Sequence, residues 1–555
     1  MSAPSPKRTS DQDGSGRRDA RLLDSRVLPQ CLDAVEFCPA RDFPATFAVA
    51  SYQLVETQRS DGADVTDAST ASGADVASAV TAAGSSTTDT ETVDDHRQSR
   101  LGGVHLFRID VTGADVSDDD GRLPDGKEPP CRSAGRMVHL QSVSGCGILD
   151  IKWRREGYHG VRRGGDEGDG LSGTDLSERR EKRVQPILLA AATADGTADL
   201  YEMKRGQMAD ELREPAPASP SLSLSTRIPF PLLDSAEPDA KPPMCLALDW
   251  WTAGEAEGGG ASQEEAVGKA GETEGEGADG EDMGERRREW GVRDRRDRIA
   301  VSRSDGSVAV ARQGEDGAWV GELAWPAHEY EAWTCCFNIW QPEVLYSGGD
   351  DCAMCAWDLR THIPSSPSSS PLSPSSSRPA WRNIKAHRAG VTTLRCSPHS
   401  PHLLASGSYD EVVRFWDVRM PSMPIAVCQV PTGGGVWRLK WHPEKAHIVL
   451  AACMHGGATI LSLSQDRAGA VDVPTSPAKD GMRQVLQEAG SESFEGLRGE
   501  VVEQYEQHKS MVYGIDWGRC NELQCSANEE DDEAWIVGTC SFYDKLLHVW
   551  KPHVL

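Results

Sequence analysis

The chain has 555 residues, 38% of them hydrophobic and only 6% aromatic, and carries a formal net charge of −28. Such acidity argues against nucleic acid as a partner, because phosphate binding needs a basic face. No apolar run approaches the ~20 residues of a membrane span, and the opening MSAPSPKRTSDQDGSGRRD lacks the apolar core of a signal peptide. No membrane association and a cytoplasmic location are therefore expected. Fifteen cysteines then read as reduced thiols. Cys352 and Cys355 form a C-x-x-C, but on a strand residues three apart point to opposite faces. No metal or other cofactor is expected.

Residues 1–20 are too polar to pack and are expected to be disordered. Beyond them the chain falls into related units, approximately 32–110, 142–204, 244–313, 327–360, 386–419, 433–464 and 507–551. The clearest reads AHRAGVTTLRCSPHSPHLLASGSYDEVVRFWDVR, ending at Arg419, and its neighbour AHEYEAWTCCFNIWQPEVLYSGGDDCAMCAWDLR follows the same plan. Each has a His, a β-rich run, a strand of small residues, a turn Asp, and a Trp six residues later. The Asp–Trp pairs are Asp351/Trp357, Asp410/Trp416 and Asp544/Trp550. These units resemble WD-repeat blades, in which His, Ser, Asp and Trp form a buried hydrogen-bonded chain. His387, Ser406, Asp410 and Trp416 fit that chain, as do His328, Ser347, Asp351 and Trp357.

The fold expected is all-β: a single seven-bladed WD-repeat β-propeller over 21–555 with long disordered insertions. Arg21–Pro29 could supply the outer strand of the last blade and hide an edge. The insertions are placed near 56–100, 155–184, 252–290, 361–380, 464–502 and 519–533. Residues 251–290 alone hold twelve Asp/Glu against four Lys/Arg, which cannot build a core.

A propeller presents its central mouth through residues near the start of each inner strand and residues just before each turn aspartate. Alignment of the blades puts Asp33, Trp333, Thr392, Trp437 and Tyr513 in the first set. The second set is Asp350, Tyr409, Met454 and Tyr543, and Glu331 shares a strand face with Trp333. Aromatic rings beside carboxylates suit a cation, though the same rings also suit a protein-recognition surface. The sixth unit has lost its network residues: Gly434 and its neighbours replace the His, Ala451 the Ser and Leu461 the Trp. His455 stands in its hairpin with no evident structural duty, and an imidazole suits proton transfer at neutral pH.

Several strings together, SGGDDCAMCAWD, ASGSYDEVVRFWD, GGVWRLKWHP, LAACMHGG and GTCSFYDKLLHVW, resemble the WD-repeat diphthine methylesterase family of diphthamide biosynthesis, also called diphthine methyltransferase. The resemblance runs from about Leu32 to Trp550. It implies hydrolysis of the methyl ester of methylated diphthine on translation elongation factor 2, giving diphthine and methanol. The substrate's trimethylammonium would sit in the aromatic and acidic funnel. The chain shows no G-x-G-x-x-G between a strand and a helix, so hydrolysis is the consistent reading. No G-x-S-x-G or H-E-x-x-H is present either.

Water attack assisted by His455 is expected, with Glu331 or Asp33 orienting the water or holding the cation and Arg438 polarising the ester carbonyl. Substrate binding is assigned to Asp33, Trp333, Asp350, Tyr409, Trp437, Tyr513 and Tyr543. Ser408, Ser541 and Cys453 are alternative nucleophiles. The protein is expected to be a monomer. The alternative reading is a non-catalytic scaffold that docks elongation factor 2 for other enzymes of the pathway. Because 254–288 cannot bury apolar area, its deletion should leave the melting temperature nearly unchanged, as read by differential scanning calorimetry. A large loss would mean that the segment packs.

Overall fold

The computed structural model describes residues 21–40, 43, 45–56, 98–112, 134–155, 186–204, 219–233, 241–252, 296–362, 378–420, 422–465, 494–520 and 535–554. Strand β1 (Arg21–Val27) precedes blade 1, which is β2 (Cys31–Phe37), β3 (Thr46–Glu56), β4 (Gln98–Thr112) and β5 (Ala134–Cys146). Blade 2 is β6 (Ile148–Trp153), β7 (Ile187–Thr193), β8 (Thr197–Lys204) and β9 (Ser221–Pro229). Blade 3 is β10 (Cys245–Trp251), β11 (Arg298–Arg303), β12 (Ser307–Gln313) and β13 (Trp319–Pro326). Blade 4 is β14 (Ala332–Phe337), β15 (Val344–Gly349), β16 (Met354–Asp358) and β17 (Trp381–Asn383).

Blade 5 follows with β18 (Val391–Cys396), β19 (Leu403–Ser408), β20 (Val412–Asp417) and β21 (Ile425–Pro431). Blade 6 is β22 (Arg438–Trp441), β23 (Ile448–Ala452), β24 (Ala458–Gln465) and β25 (Leu497–Tyr505). Blade 7 is β26 (Val512–Arg519), β27 (Trp535–Ser541) and β28 (Leu546–Lys551), completed by β1. Each of the seven sheets has four antiparallel strands, so the chain is a seven-bladed β-propeller. Among the described residues no helix is long and apolar enough to cross a membrane.

Residues 1–20 and most of the expected insertions lie outside the described residues. One expectation needs correction. The stretch 464–502 holds the start of β25, and Phe494 and Leu497 are buried in the core between blades 5 and 6. The unit boundaries also stopped short of the outermost strands β5, β9, β13, β17, β21 and β25. Inner strands read clearly because they are almost wholly buried, as in β2 and β11. Outer strands mix exposed and buried positions irregularly, as in β9 and β21, and leave a weak pattern.

Blades 4 and 5 carry the expected polar chains. His328 reaches Asp351 at 2.9 Å and Ser347 at 2.8 Å, and the Trp357 indole donates to Ser347 at 2.8 Å. His387 lies 2.8 Å from Ser406, Trp416 donates to Ser406 at 2.8 Å, and Asp410 accepts from the Arg388 N–H and the Arg414 guanidinium. Blade 7 differs: Ser541 stands between His508 and Asp544, so the histidine meets a hydroxyl rather than the carboxylate.

Neighbouring blades are tied through their innermost strands. Asp150 accepts from Leu248 N–H of blade 3, Asp249 from Phe337 N–H of blade 4, and Asp516 from Phe37 N–H of blade 1. In the opposite direction, the indoles of Trp153, Trp441 and Trp517 donate to the carbonyls of Glu36, Arg395 and Lys440 on the preceding blade. Asp410→Ala should destabilise the fold by about 1–3 kcal/mol in urea titration, because it leaves the Arg388 N–H without an acceptor and Arg414 without its carboxylate. A neutral result would contradict the network.

Candidate active site at the mouth of the funnel

Six innermost strands skip one residue in their pairing with the next strand, at Asp33, Leu149, Leu246, Trp333, Thr392 and Tyr513. A bulge re-aims its side chain, and here the same device recurs blade after blade. In blade 6 Trp437 takes the place, its N–H donating to Ala452 O at 2.8 Å. The first set of mouth positions read from the sequence is thus the bulge set. Leu149 and Leu246 belong to it as well and were missed, since a leucine carries no polar or aromatic flag.

The rings from blades 4 to 7 converge. Trp333 lies 5.7 Å from Trp437 and 6.3 Å from Tyr409, edge-on to the latter. Tyr409 lies 6.1 Å from Trp437, and Tyr513 stacks on Trp437 at 4.8 Å. Two carboxylates fix the indoles: Trp333 donates to Asp350 at 3.0 Å and Trp437 to Asp33 at 3.3 Å. Glu331 is half-buried, and its carbonyl accepts from Asp350 N–H. Thr392 is buried, its hydroxyl bonded to Val436 O, so it holds blade 6 rather than lining the mouth.

The second set needs a correction of one residue in blade 7. Asp350 N–H donates to Glu331 O and Tyr409 N–H to Gly390 O; the equivalent bond in blade 7 is Phe542 N–H to Met511 O. Phe542 therefore holds the position, packing 5.3 Å from Tyr513, while Tyr543 follows it and is 43% exposed. The cause is one extra turn residue: blade 7 places both Phe542 and Tyr543 between the strand end Ser541 and Asp544, where blade 5 has only Tyr409 between Ser408 and Asp410.

His455 also sits differently from a turn aspartate. In five blades the turn Asp is followed by a left-handed residue: Gly196, Gly306, Cys352, Glu411 and Lys545. In blade 6 the left-handed residues are Met454 (φ 45°) and Gly457 (φ 74°), either side of His455. The turn closes on itself, Cys453 N–H to Gly457 O at 2.7 Å and Gly456 N–H to Cys453 O at 2.7 Å. Gly434 presses so close that a Cβ there would meet Cys453 O at 2.0 Å. Backbone proximity replaces the missing His–Ser–Trp chain. Met454 is buried near Gly435 and Tyr409, whereas His455 is exposed at the hairpin tip, with no hydrogen bond to orient its ring among the described residues.

The alternative nucleophiles are tied into the fold. Ser408 is buried and donates to Ala389 O, and Ser541 bonds Asp544. Burial pushes the Cys453 thiol up to about 11, far from a thiolate at neutral pH.

Beneath the rings runs a buried ionic network. Arg438, 9% exposed, binds Asp150 and the Leu149 carbonyl, and lies 3.9 Å from Asp33. Its guanidinium is thus a fixed charge below the mouth, held by Asp150. Lys152 and Lys440 both reach Glu36, Lys440 reaches Asp516 at 3.3 Å, and Arg395 reaches Asp249 at 3.7 Å. Burial works against ionising Asp150, but Arg438, Lys152 and Arg395 outweigh it and hold it at about 2. For Asp33 burial wins over Arg438, with Asp150 adding to it, and lifts its carboxyl to about 7.

An unfolded aspartate titrates near ~4, so the folded chain binds this proton more tightly. The stability it contributes is full below pH ~4 and is lost as pH rises through about 7. Between pH 5 and 8 the melting temperature of the wild type should fall by about 2 °C or more beyond that of Asp33→Asn. Asp516, raised to about 6 by burial, contributes equally to both. Parallel pH profiles would show that Asp33 is ionised throughout.

The family described as WD domain, G-beta repeat, matches residues 380–417, from the outer strand β17 of blade 4 through β20 of blade 5. The chain is 34% identical over 257 residues to the diphthine methyltransferase homolog of Dictyostelium discoideum, an alignment covering 46% of this chain and 60% of that protein. It is 37% identical over 221 residues to diphthine methyltransferase of Mus musculus, covering 40% and 37%. Against the Homo sapiens protein of that name the identity is 32% over 303 residues, covering 46% and 63%. The chain thus spans less than two thirds of the length of each of these relatives. The resemblance carried by the blade strings is borne out: this WD-repeat propeller is similar to proteins named diphthine methyltransferase.

Proposed function

We propose that the protein acts in diphthamide biosynthesis, hydrolysing the methyl ester of methylated diphthine on translation elongation factor 2 to diphthine and methanol. The observation that carries this reading is the cage of Trp333, Tyr409, Trp437 and Tyr513 with Asp33 and Asp350 bonded to its indoles. A quaternary ammonium donates no hydrogen bonds, so ring faces and nearby carboxylates are what can hold it. Each ring contact contributes on the order of 0.5–2 kcal/mol, more when water is excluded. The similar proteins are likewise named for diphthine.

Attack by water fits better than attack by a side chain, because Ser408, Ser541 and Cys453 are buried and bonded. His455 and Glu331 stand at the rim as candidates to activate that water. Catalysis by a positioned base contributes typically ~10²–10⁴-fold.

Methanol released from elongation factor 2 carrying methylated diphthine tests the reaction; a docking scaffold would release none. For the cage, Trp437→Ala should weaken binding of the modified loop by roughly 1–2 kcal/mol in calorimetric titration. Binding of a primary-amine analogue, which can hydrogen-bond to the carboxylates, should change little. Equal losses for both ligands would reduce the rings to a general protein-docking surface.

A further inference from the structure

We propose that Asp33 is the general base of this hydrolysis, taking a proton from the attacking water at the floor of the aromatic cage. The inference rests on the methyl-ester reading above. Asp33 is the carboxylate of the bulge ring itself, so its side chain enters from the same level as Trp333 and Tyr513. Its Oδ1 is held by the Trp437 indole at 3.3 Å, and Arg438 Nη2 lies 3.9 Å away. A base needs such fixing, and the exposed His455 has none among the described residues.

Charge balance along the axis explains why this carboxylate can hold a proton. Asp33, Glu36, Asp150, Asp249 and Asp516 face Lys152, Arg395, Arg438 and Lys440, one carboxylate more than there are cations. Glu36 and Asp150 are kept ionised by their cations, and Asp516 is bound by Phe37 N–H and Lys440. The surplus falls on the two carboxylates that burial raises, Asp516 to about 6 and Asp33 to about 7, and of these Asp33 is the member at the mouth. Asp150 on β6, Tyr513 on β26, Cys540 on β27, Tyr409 and, on its own strand, Cys31 are titratable groups that face it besides Arg438, and its 3% exposure keeps bulk water away. A carboxyl near 7 is matched to proton transfer at neutral pH.

In the step, the water oxygen bonds to the ester carbonyl carbon as Asp33 takes one water proton. The tetrahedral adduct then collapses, the bond from carbon to the methoxy oxygen breaks, and Asp33 returns the proton to that oxygen. Methanol leaves, and the acid product loses its remaining proton to solvent.

The test is methanol release from methylated-diphthine elongation factor 2 between pH 5.5 and 8.5. Wild-type kcat/KM should rise with pH through a midpoint near 7. Asp33→Asn retains an oxygen to accept the Trp437 N–H but loses the charge beside the cage, so KM should rise modestly while kcat falls far more, by ~10²–10⁴-fold. Trp437→Phe removes a hydrogen bond that favours the ionised carboxylate, and should move the midpoint to higher pH even if Asp33→Asn does not fold. An Asp33→Asn enzyme with wild-type kcat, or a midpoint unmoved by Trp437→Phe, would overturn the assignment alone. A His455→Asn loss matching that of Asp33→Asn, with the wild-type midpoint unmoved by Trp437→Phe, would return the base to the rim. No methanol from the wild type at any pH would remove the esterase reading, and this inference with it.

Discussion

The structure depends on how charge is balanced along the propeller axis. Nine ionisable side chains from the innermost strands of six blades meet there, almost shut off from water. Removing one partner of a buried pair leaves an uncompensated charge at a cost of about 3–5 kcal/mol. Each blade is therefore constrained by charges contributed by others; Arg438 of blade 6 and Asp150 of blade 2 are the longest reach. The carboxylates of this network double as acceptors for backbone N–H groups of the following blade, which ties electrostatic order to blade order.

That balance shapes the mouth above it. Blades 4 to 7 contribute rings, while blades 2 and 3 place Leu149 and Leu246 at the corresponding bulges. The funnel thus has an aromatic, acidic side and an aliphatic side. A ligand with a fixed cation and an uncharged ester has complementary walls for each end. Asp33 stands where the aromatic side meets the ionic floor, so binding and proton transfer share one bulge.

Much of this was legible in the sequence because WD blades advertise themselves through His, Ser, Asp and Trp at fixed spacing. Blades 4 and 5 satisfy every expected bond, and Arg21–Val27, within the stretch Arg21–Pro29 expected to do so, closes the ring. Outer strands were not legible, since half-exposed edges obey no strict alternation. The Phe542 position was missed because one inserted turn residue shifts register without changing composition. Blade 6 was the hardest. Its three glycines look like loss of structure, yet Gly434 is needed for backbone contact with the 453–457 turn, a contact no side-chain motif records. Axial charges were invisible for a related reason: Lys152–Trp153, Lys440–Trp441 and Asp516–Trp517 recur as charged–Trp pairs, but only the closed ring shows which charges face one another.

Closure by β1 sets a timetable for the chain's assembly. Leu22 pairs with Trp550, and Arg26 and Asp24 also grip Met137 of blade 1. During synthesis β1 emerges before β28 and has no partner strand until β28 is made. Long segments between strands of one blade hardly change that wait in thermodynamic terms, since doubling a loop costs only about 0.6 kcal/mol. What they lengthen is the time on the ribosome, at ~5–20 residues per second, during which the axial charges lack their partners from blades 6 and 7. Lys440 and Arg438 emerge after Glu36 and Asp150, so the early carboxylates stay hydrated until the cations arrive to bury them.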